Sequence, residues 1–335
     1  RCSSSVVEHS LGKGEVGSSI LPCSTISPRD HPLPIATRLQ ITPLLRRGAA
    51  FVLGRFLFVR GRHSTSQAMK RFIPFVKTNP LVNVVRLSGV IGAGPRAALS
   101  DEGLARVLSR AFTKGKPSAV ALVINSPGGS PVQSALIGQR IRRLAAQHTV
   151  PVHAFVEDVA ASGGYWLACA ADQIYADRAS IIGSIGVISA SFGAHELLAR
   201  QGVERRVYTA GASKSMLDPF RPENPDDVAR LKTILGQMHG VFIDWVQQRR
   251  GEKLQAAGDT PLFEGDIWMG EGAQKLGLID GIGHMEDVMK ETFGPKTRFA
   301  WHSRRRPMFQ RFGMQLAQDA LGGIEERAAF ARFGL

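Results

Sequence analysis

The sequence predicts an α/β fold in which the strands pair largely in parallel. Runs typical of strands alternate along the chain with segments of helical spacing, as expected for crossover connections between parallel strands. The run Ser118–Asn125 is almost wholly apolar, which is typical of a strand buried on both faces. A second apolar run, Pro151–Val156, is followed by a helical pattern. The 335 residues suffice for one large domain or two small ones.

The remaining elements follow from the same periodicities. Apolar residues at 104, 107, 108 and 112 predict an amphipathic helix over Asp101–Lys114. The glycine-rich stretch after Val90 predicts a loop, because its spacing does not fit a dinucleotide-binding turn. We further predict strands over Leu81–Val90, Gln173–Ala176 and Ile185–Ser189, and an extended segment over Val203–Thr209. Helices are predicted from the Ser126–Ser130 turn to about Gln147, over His195–Gln201 and over Asp226–Arg250.

The positive charge of the chain is concentrated at its ends. The formal net charge is +14, yet residues 81–300 hold 24 Lys/Arg against 22 Asp/Glu. A groove for nucleic acid requires basic residues clustered on one folded face. We therefore expect no nucleic-acid partner.

The first 68 residues do not resemble a folded domain. They are rich in Ser, Pro, Gly and Arg and show no sustained period of a helix or a strand. Their opening resembles a mistranslated tRNA gene, which favours a natural start at Met69, and a disordered basic leader is the alternative. The apolar stretch Gly48–Val59 is too short for a bilayer span and is interrupted by Arg55. We expect a bacterial protein in the cytoplasm or at the inner membrane surface.

The three cysteines form no disulfide or metal-binding pattern. Cys2 and Cys23 fall in the leader, and Cys169 is alone in an apolar helical segment, where we expect a small buried residue. Neither a phosphate-binding loop nor metal-ligand spacing appears. No cofactor and no metal are predicted.

The stretch Asp158–Ala170 contains the strongest candidate for chemistry. Ser162 lies where the apolar strand meets the helix, with Gly163 and Gly164 directly after it. Glycines let a substrate backbone approach closely, and the free amides of the first helical turn stabilise a negative oxygen. This pattern predicts a nucleophilic serine, and a plain helix N-cap is the alternative.

The residues alone leave open which group would activate Ser162. No histidine is singled out by its surroundings; those of the body are His148, His153, His195, His239 and His284. Lys214 lies in an irregular segment of small residues that ends at Phe220. A solvated lysine is a poor base, but burial disfavours the ammonium form and lowers the pKa of a lysine.

An ordered set of motifs resembles the signal peptide peptidase A (SppA/SohB) family of serine peptidases. The motifs are N-S-P-G-G, A-S-G-G-Y-W-L-A, A-D-Q-I-Y-A, G-S-I-G-V, A-G-A-S-K-S with D-P-F-R-P, and W-M-G-E-G-A-Q-K-L-G-L-I-D-G-I-G. The resemblance covers about Leu81 to Asp287. It implies a Clp/crotonase-type superhelix of stacked β-β-α units, with a peptidase domain over 81–300. Spaced apolar residues between Pro307 and Phe333 separately predict a helical tail over 301–335.

The resemblance implies a Ser–Lys dyad and assigns roles to five residues. Its motifs place the nucleophile at Ser162 and the general base at Lys214, with Ser184 orienting the lysine amine. The amides of Gly129 and Gly163 would form the oxyanion hole. The family implies peptides or signal-peptide remnants as substrates and assembly into homo-oligomers. Burial of the lysine base would make activity rise into the mildly alkaline range.

Three rival interpretations remain at this point. A Clp-type Ser-His-Asp peptidase would carry its histidine near Ile185–Ile188, where this chain has none. A crotonase-like acyl-CoA enzyme would use a carboxylate and needs no lysine motif. A catalytically silent scaffold or membrane-quality-control protein would share the fold without the reaction.

Overall fold

A computed structural model describes residues 79–93, 98–211, 213–303 and 327–335. Strands and helices alternate along the described chain, which confirms the predicted α/β class. The strands are β1 (Leu81–Ser88), β2 (Ala119–Ser126), β3 (Val152–Ala161), β4 (Gln173–Ala176), β5 (Ile181–Gly183), β6 (Ile267–Met269), β7 (Gly281–Ile282) and β8 (Arg298–His302). The helices are α1 (Asp101–Thr113), α2 (Pro131–His148), α3 (Gly163–Ala168), α4 (His195–Arg200), α5 (Pro225–Arg250), a 3-10 helix (Gly251–Ala257), α6 (Gly270–Lys275) and α7 (Met285–Phe293).

The strands form one eight-stranded sheet in the order β6-β5-β3-β2-β1-β8. The short strands β4 and β7 pair with each other and branch from β3. Among the described strands, every pairing is parallel except that of β5 with β6. The predicted parallel pairing is therefore confirmed.

The sheet is buried on both faces around β2, because alternate residues of a strand point to opposite sides. Leu122 and Ile124 belong to the larger core cluster, which lies with α1, α2, α3 and α5. Ala121 and Val123 belong to a smaller cluster that includes Met289 of α7. This two-sided burial explains why the run Ser118–Asn125 is almost wholly apolar.

An irregularity in β3 directs this strand toward Ser162. The register against β2 moves from Val156 opposite Ile124 to Ala160 opposite Ser126, so β3 has extra residues at this point. Such a bulge bends a strand and increases its twist. The first half of β3 accordingly pairs with β4, and the second half pairs with β5.

Two arginines bind the carboxyl end of the short helix α3. Arg249 of α5 donates to the carbonyls of Cys169 and Ala171 at 2.9 and 3.0 Å, and Arg142 of α2 donates to the carbonyl of Ala170 at 3.1 Å. The last carbonyls of a helix have no partner within the helix itself. The two guanidinium groups therefore stabilise this end of α3.

Cys169 is fully buried at the end of α3, as predicted. Burial raises the pKa of its thiol to about 12. Because a thiol acts as a nucleophile only when ionised, this burial gives Cys169 a packing role.

Two predicted extended segments are wrong. The strand expected at Ile185–Ser189 is irregular, and the strand of this region is β5, which ends at Gly183. The chain leaves β5 at Ser184, whose φ of 52° is incompatible with a continuing strand. Residues 203–209 are irregular and exposed.

Some predictions fall on parts of the chain that the structure does not describe. The leader over 1–68 lies outside the described residues, as does 304–326 of the predicted tail. Residues 327–331 are helical. No helix in the described ranges has both the length and the apolar content needed to cross a bilayer.

A buried ion pair joins α5 to the segment after α6. The side chain of Arg250 is only 2% exposed, and its Nη1 lies 2.7 Å from Oδ2 of Asp280. Burial by itself would raise the pKa of Asp280, but hydrogen bonds from Arg250 and Lys253 outweigh burial and hold this pKa below its ordinary value. The same carboxylate accepts a hydrogen bond from the amide of Ile174 at 2.7 Å.

We predict that Asp280→Asn lowers the free energy of unfolding by about 3 kcal/mol at neutral pH, because it leaves a buried guanidinium without its counter-charge. A carboxylate with a depressed pKa contributes stability above its unfolded pKa and loses it as pH falls through the folded value. The difference between the variant and the wild type should therefore shrink below about pH 4. Urea unfolding at several pH values measures both effects. The exposed Asp259→Asn is the control, and equal losses in the two variants would contradict the prediction.

Candidate active site

Ser162 occupies a strained turn between β3 and α3. Its φ and ψ are 52° and −121°, a conformation that residues other than glycine rarely adopt. Its amide donates to the carbonyl of Gly183 at 2.8 Å, which fixes the turn to the end of β5. A serine on a sharp strand-to-helix turn presents its hydroxyl beyond the edge of the sheet.

The sheet register places Ser184 beside Ser162. Ala161 of β3 lies opposite Gly183 of β5, and one serine follows each of these residues. Neighbouring strands lie roughly 4.8 Å apart, so parallel strands that end together bring their next residues close. Ser184 also has a φ of 52°, and its amide donates to the carbonyl of Asp266 at 2.6 Å.

The turn Gly128–Gly129 packs with its backbone directly against Ser162 and Gly163. A Cβ on Gly128 would lie 2.8 Å from the amide nitrogen of Gly163 and 2.9 Å from the Cβ of Ser162. A Cβ on Gly129, whose φ is +141°, would lie 2.0 Å from the carbonyl oxygen of Ile91. Only glycine fits either position. Within the described residues, the amides of Gly129 and Gly163 donate no backbone hydrogen bond.

Ser162, Ser184, Gly129 and Gly163 line one pocket of about 450 Å³. Its walls combine apolar and polar groups and come from the Pro127–Pro131 turn, α3, the segment after Ser184, and α5. The apolar lining residues are Pro127, Pro131, Trp166, Val187, Ile188, Met238 and Phe242. A serine hydroxyl and two free amides thus adjoin a cavity that offers apolar surface beside polar groups.

Helix α5 covers α3 through an aromatic stack. The ring of Trp166 stacks on Phe242 with centroids 4.7 Å apart and lies 6.1 Å from Trp245. The indole nitrogen of Trp245 donates to the carbonyl of Trp166 at 3.0 Å. The residues that follow Ser162 are therefore held by α5 as well as by the sheet.

Lys214 lies outside this pocket. It is exposed in an irregular turn, and no described residue from 186 to 241 is buried. The expectation that Lys214 is buried is wrong for the single chain, because the segment that carries it lies on the surface and packs into neither core cluster. Of the five predicted site residues, the structure brings together Ser162, Ser184, Gly129 and Gly163 and leaves Lys214 apart.

No histidine within the described ranges lines the pocket. His239 of α5 contacts the residue that follows Ser184. Its Nε2 lies 3.2 Å from the carbonyl oxygen of Ile185. His153 is buried in β3 beside Phe293, and burial lowers its pKa. These contacts give both histidines packing roles.

The pocket walls from α5 and the charged residues at the pocket were not predicted from the sequence. The spacing of Phe242, Val246 and Arg250 at every fourth residue could have shown which face of α5 is buried. Met238 lies one turn before Phe242 and follows from the same spacing. Glu264 and Arg332 also line the pocket, and no periodicity marks them.

The fold and the site together define an α/β protein with a serine on a strained turn beside two free amides. A family model described as peptidase family S49 matches residues 145–293. A putative protease of Synechocystis sp. is 30% identical over 216 residues, which are 64% of this chain and 74% of that protein. The probable protease SohB of Haemophilus influenzae is 29% identical over 244 residues, 72% of this chain and 67% of that protein. The chain belongs to peptidase family S49, the serine peptidases that include proteins named SppA and SohB.

A further relative carries a different name. A Brucella melitensis protein named Na(+)/H(+) antiporter NhaA is 48% identical over 289 residues, which are 80% of this chain and 39% of that protein. The chain thus spans 39% of the length of the first curated relatives that it matches. The antiporter name belongs to a protein most of whose length lies outside the match.

We predict that Gly129→Ala lowers the free energy of unfolding by about 2 kcal/mol, because alanine is strained at this φ and its Cβ meets the carbonyl of Ile91. Gly236→Ala in α5 is the matched control. A Cβ there meets nothing within 4 Å, and alanine should stabilise the helix by about 0.5–1 kcal/mol. Chemical denaturation of both variants measures the difference. A Gly129→Ala protein as stable as the wild type would contradict the described turn.

Proposed function

We propose that the chain is a serine endopeptidase that cleaves peptides, or remnants of signal peptides, through an acyl-enzyme. One observation carries this proposal: the strained Ser162, the free amides of Gly129 and Gly163, and Ser184 all border a single pocket. Membership of peptidase family S49 supports the same reaction. The apolar walls favour apolar side chains beside the scissile bond.

In the proposed mechanism, Ser162 is the nucleophile and Lys214 is the general base. Lys214 accepts the proton of the Ser162 hydroxyl while Oγ attacks the peptide carbonyl carbon, and the amides of Gly129 and Gly163 donate hydrogen bonds to the oxyanion. Collapse of the tetrahedral intermediate breaks the C–N bond, and Lys214 returns the proton to the leaving amine. Water, deprotonated by Lys214, then hydrolyses the ester. Ser184 orients the lysine amine. Because only a neutral amine accepts a proton, activity should rise with pH.

Lys214 must approach a Ser162 for this mechanism to operate. The segment that carries it exposes several large apolar side chains, among them Ile188, Phe192 and Tyr208, which are 70%, 78% and 91% exposed. Apolar surface of this kind is typical of a protein interface. We propose that homo-oligomerisation covers this segment and brings Lys214 to an active site. Size-exclusion chromatography with light scattering tests the assembly, and a monomer at working concentration would contradict it.

We predict that Ser162→Ala and Lys214→Ala each lower kcat/KM for casein and apolar fluorogenic peptides by at least about 1000-fold, because each removes a group that the reaction requires. The exposed Lys296→Ala, outside this segment, is the matched control and should retain activity. Circular dichroism checks that the variants fold. Full activity of Lys214→Ala would exclude the lysine base, and an inactive wild type would favour a scaffold.

A mixture of the two inactive variants shows which chain supplies Lys214. If a second copy donates the lysine, some mixed assemblies pair an intact Ser162 with an intact Lys214, and we predict that mixing restores about a quarter of the wild-type activity for random pairing. The assay is peptide cleavage after joint refolding. An inactive mixture that still assembles would place both groups of the dyad in one chain.

Two alternatives remain, each with one observation in its favour. The position of Lys214 outside the pocket favours a catalytically silent scaffold. The carboxylate of Glu264, which lines the pocket, is the kind of group that a crotonase-like acyl-CoA enzyme requires. Peptide cleavage that depends on Ser162 opposes the first alternative, and turnover of an acyl-CoA would support the second.

The family also supports two proposals about the extent of the domain and the location of the protein in the cell. We infer that the peptidase domain extends over 81–300 and that its β-β-α units stack as a Clp/crotonase-type superhelix. We also propose that the protein acts in the bacterial cytoplasm or at the inner membrane surface. Partial proteolysis tests the first proposal, and cell fractionation tests the second.

A further inference from the structure

Glu264 is held at the pocket by the same backbone contacts that hold Ser184. The amide of Ser184 donates to the carbonyl of Asp266, two residues after Glu264. Gly183 of β5 lies opposite Ile267 of β6 in an antiparallel pair. Gly265, whose φ is +89°, packs so closely on Gly186 that a Cβ on Gly186 would lie 3.3 Å from its Cα. The position of Glu264 is therefore coupled to the active serines.

Glu264 brings an unpaired negative charge to the pocket. Its carboxylate is the single acidic group among the lining residues of the described chain, and it forms no ion pair with any described residue. Glu264 is an exposed residue, and the pocket that it lines also has apolar residues, among them Trp166 and Phe242, which stack on each other. A carboxylate beside apolar walls suits a side chain with a long apolar stem and a positive end.

The chain itself supplies one basic residue at this pocket. Arg332, from the described residues 327–335, lines the pocket together with Glu264 and Ser162. Arg332 and Glu264 do not form an ion pair. The carboxylate of Glu264 is therefore free to pair with a cation from a bound peptide.

We infer that Glu264 selects peptides with an arginine or lysine within a few residues of the scissile bond. The aliphatic stem of the basic side chain would lie along the apolar wall, and its cationic end would pair with the Glu264 carboxylate. This inference rests on the proposed peptidase function and names its substrate class: an apolar peptide that carries a basic residue next to the cleavage site. Charge complementarity of this kind determines specificity more than overall affinity.

The test uses full-length protein and a set of apolar fluorogenic peptides. Arg, norleucine or Glu is placed in turn at each of the three positions on either side of the scissile bond. At one position, the wild type should prefer Arg over norleucine in kcat/KM by about fivefold, as expected for a partly solvated ion pair. Glu264→Gln should abolish this preference. Glu264→Arg should prefer Glu at the same position.

The exposed Glu252→Gln is the matched control, because Glu252 lies outside the pocket and should keep the wild-type preference. A second measurement does not require turnover. In the Ser162→Ala background, fluorescence anisotropy should show tighter binding of the Arg peptide than of the norleucine peptide, and Glu264→Gln should remove the difference.

The outcomes separate the inference from the function on which it rests. Cleavage with equal rates for Arg and norleucine at every position would overturn the role of Glu264 and leave the peptidase standing. Loss of the preference in Glu252→Gln as well would overturn a specific role for Glu264. Absence of cleavage, together with equal binding of the two peptides, would overturn both.

Discussion

The parallel pairing of β3 with β5 is the constraint on which the site depends. Ala161 lies opposite Gly183, and the amide of Ser162 donates to the carbonyl of Gly183. A shift of one residue in this pairing would move one serine away from the other and would exchange the faces of the strand. Register is held strongly because β3 is buried on both sides along most of its length. The position of the two hydroxyls is thus a consequence of how the core packs.

Local strain is concentrated where the site is built. Ser162 and Ser184 both have a positive φ, although neither is glycine, and Gly128, Gly129 and Gly183 adopt positive φ next to them. Such conformations persist only where the surroundings hold them in place. Here the surroundings are the larger core cluster, the arginines at the end of α3, and the aromatic stack with α5. A stable framework maintains an unfavourable turn because that turn presents a hydroxyl and free amides to one cavity.

The sequence predicted the framework better than the surface. The apolar run Ser118–Asn125 gave β2 because burial on both faces leaves a direct mark on composition, and the change from strand to helix period located Ser162. The strand predicted at Ile185–Ser189 failed because apolar content alone does not reveal that Ser184 adopts a positive φ. The contribution of Glu264 could not be predicted, since it reaches the pocket through tertiary packing. The exposure of Lys214 could not be predicted from the sequence either, because a motif gives the order of residues and not their burial.

The capping of α3 by two distant arginines has a consequence for the order of folding. A helix of six residues is too short to be stable alone. Its carboxyl end is completed by Arg249, which lies 87 residues after Ser162 in the sequence. During synthesis the amino-terminal part emerges first. We therefore expect the turn that carries Ser162 to reach its final form only after α5 has left the ribosome and docked.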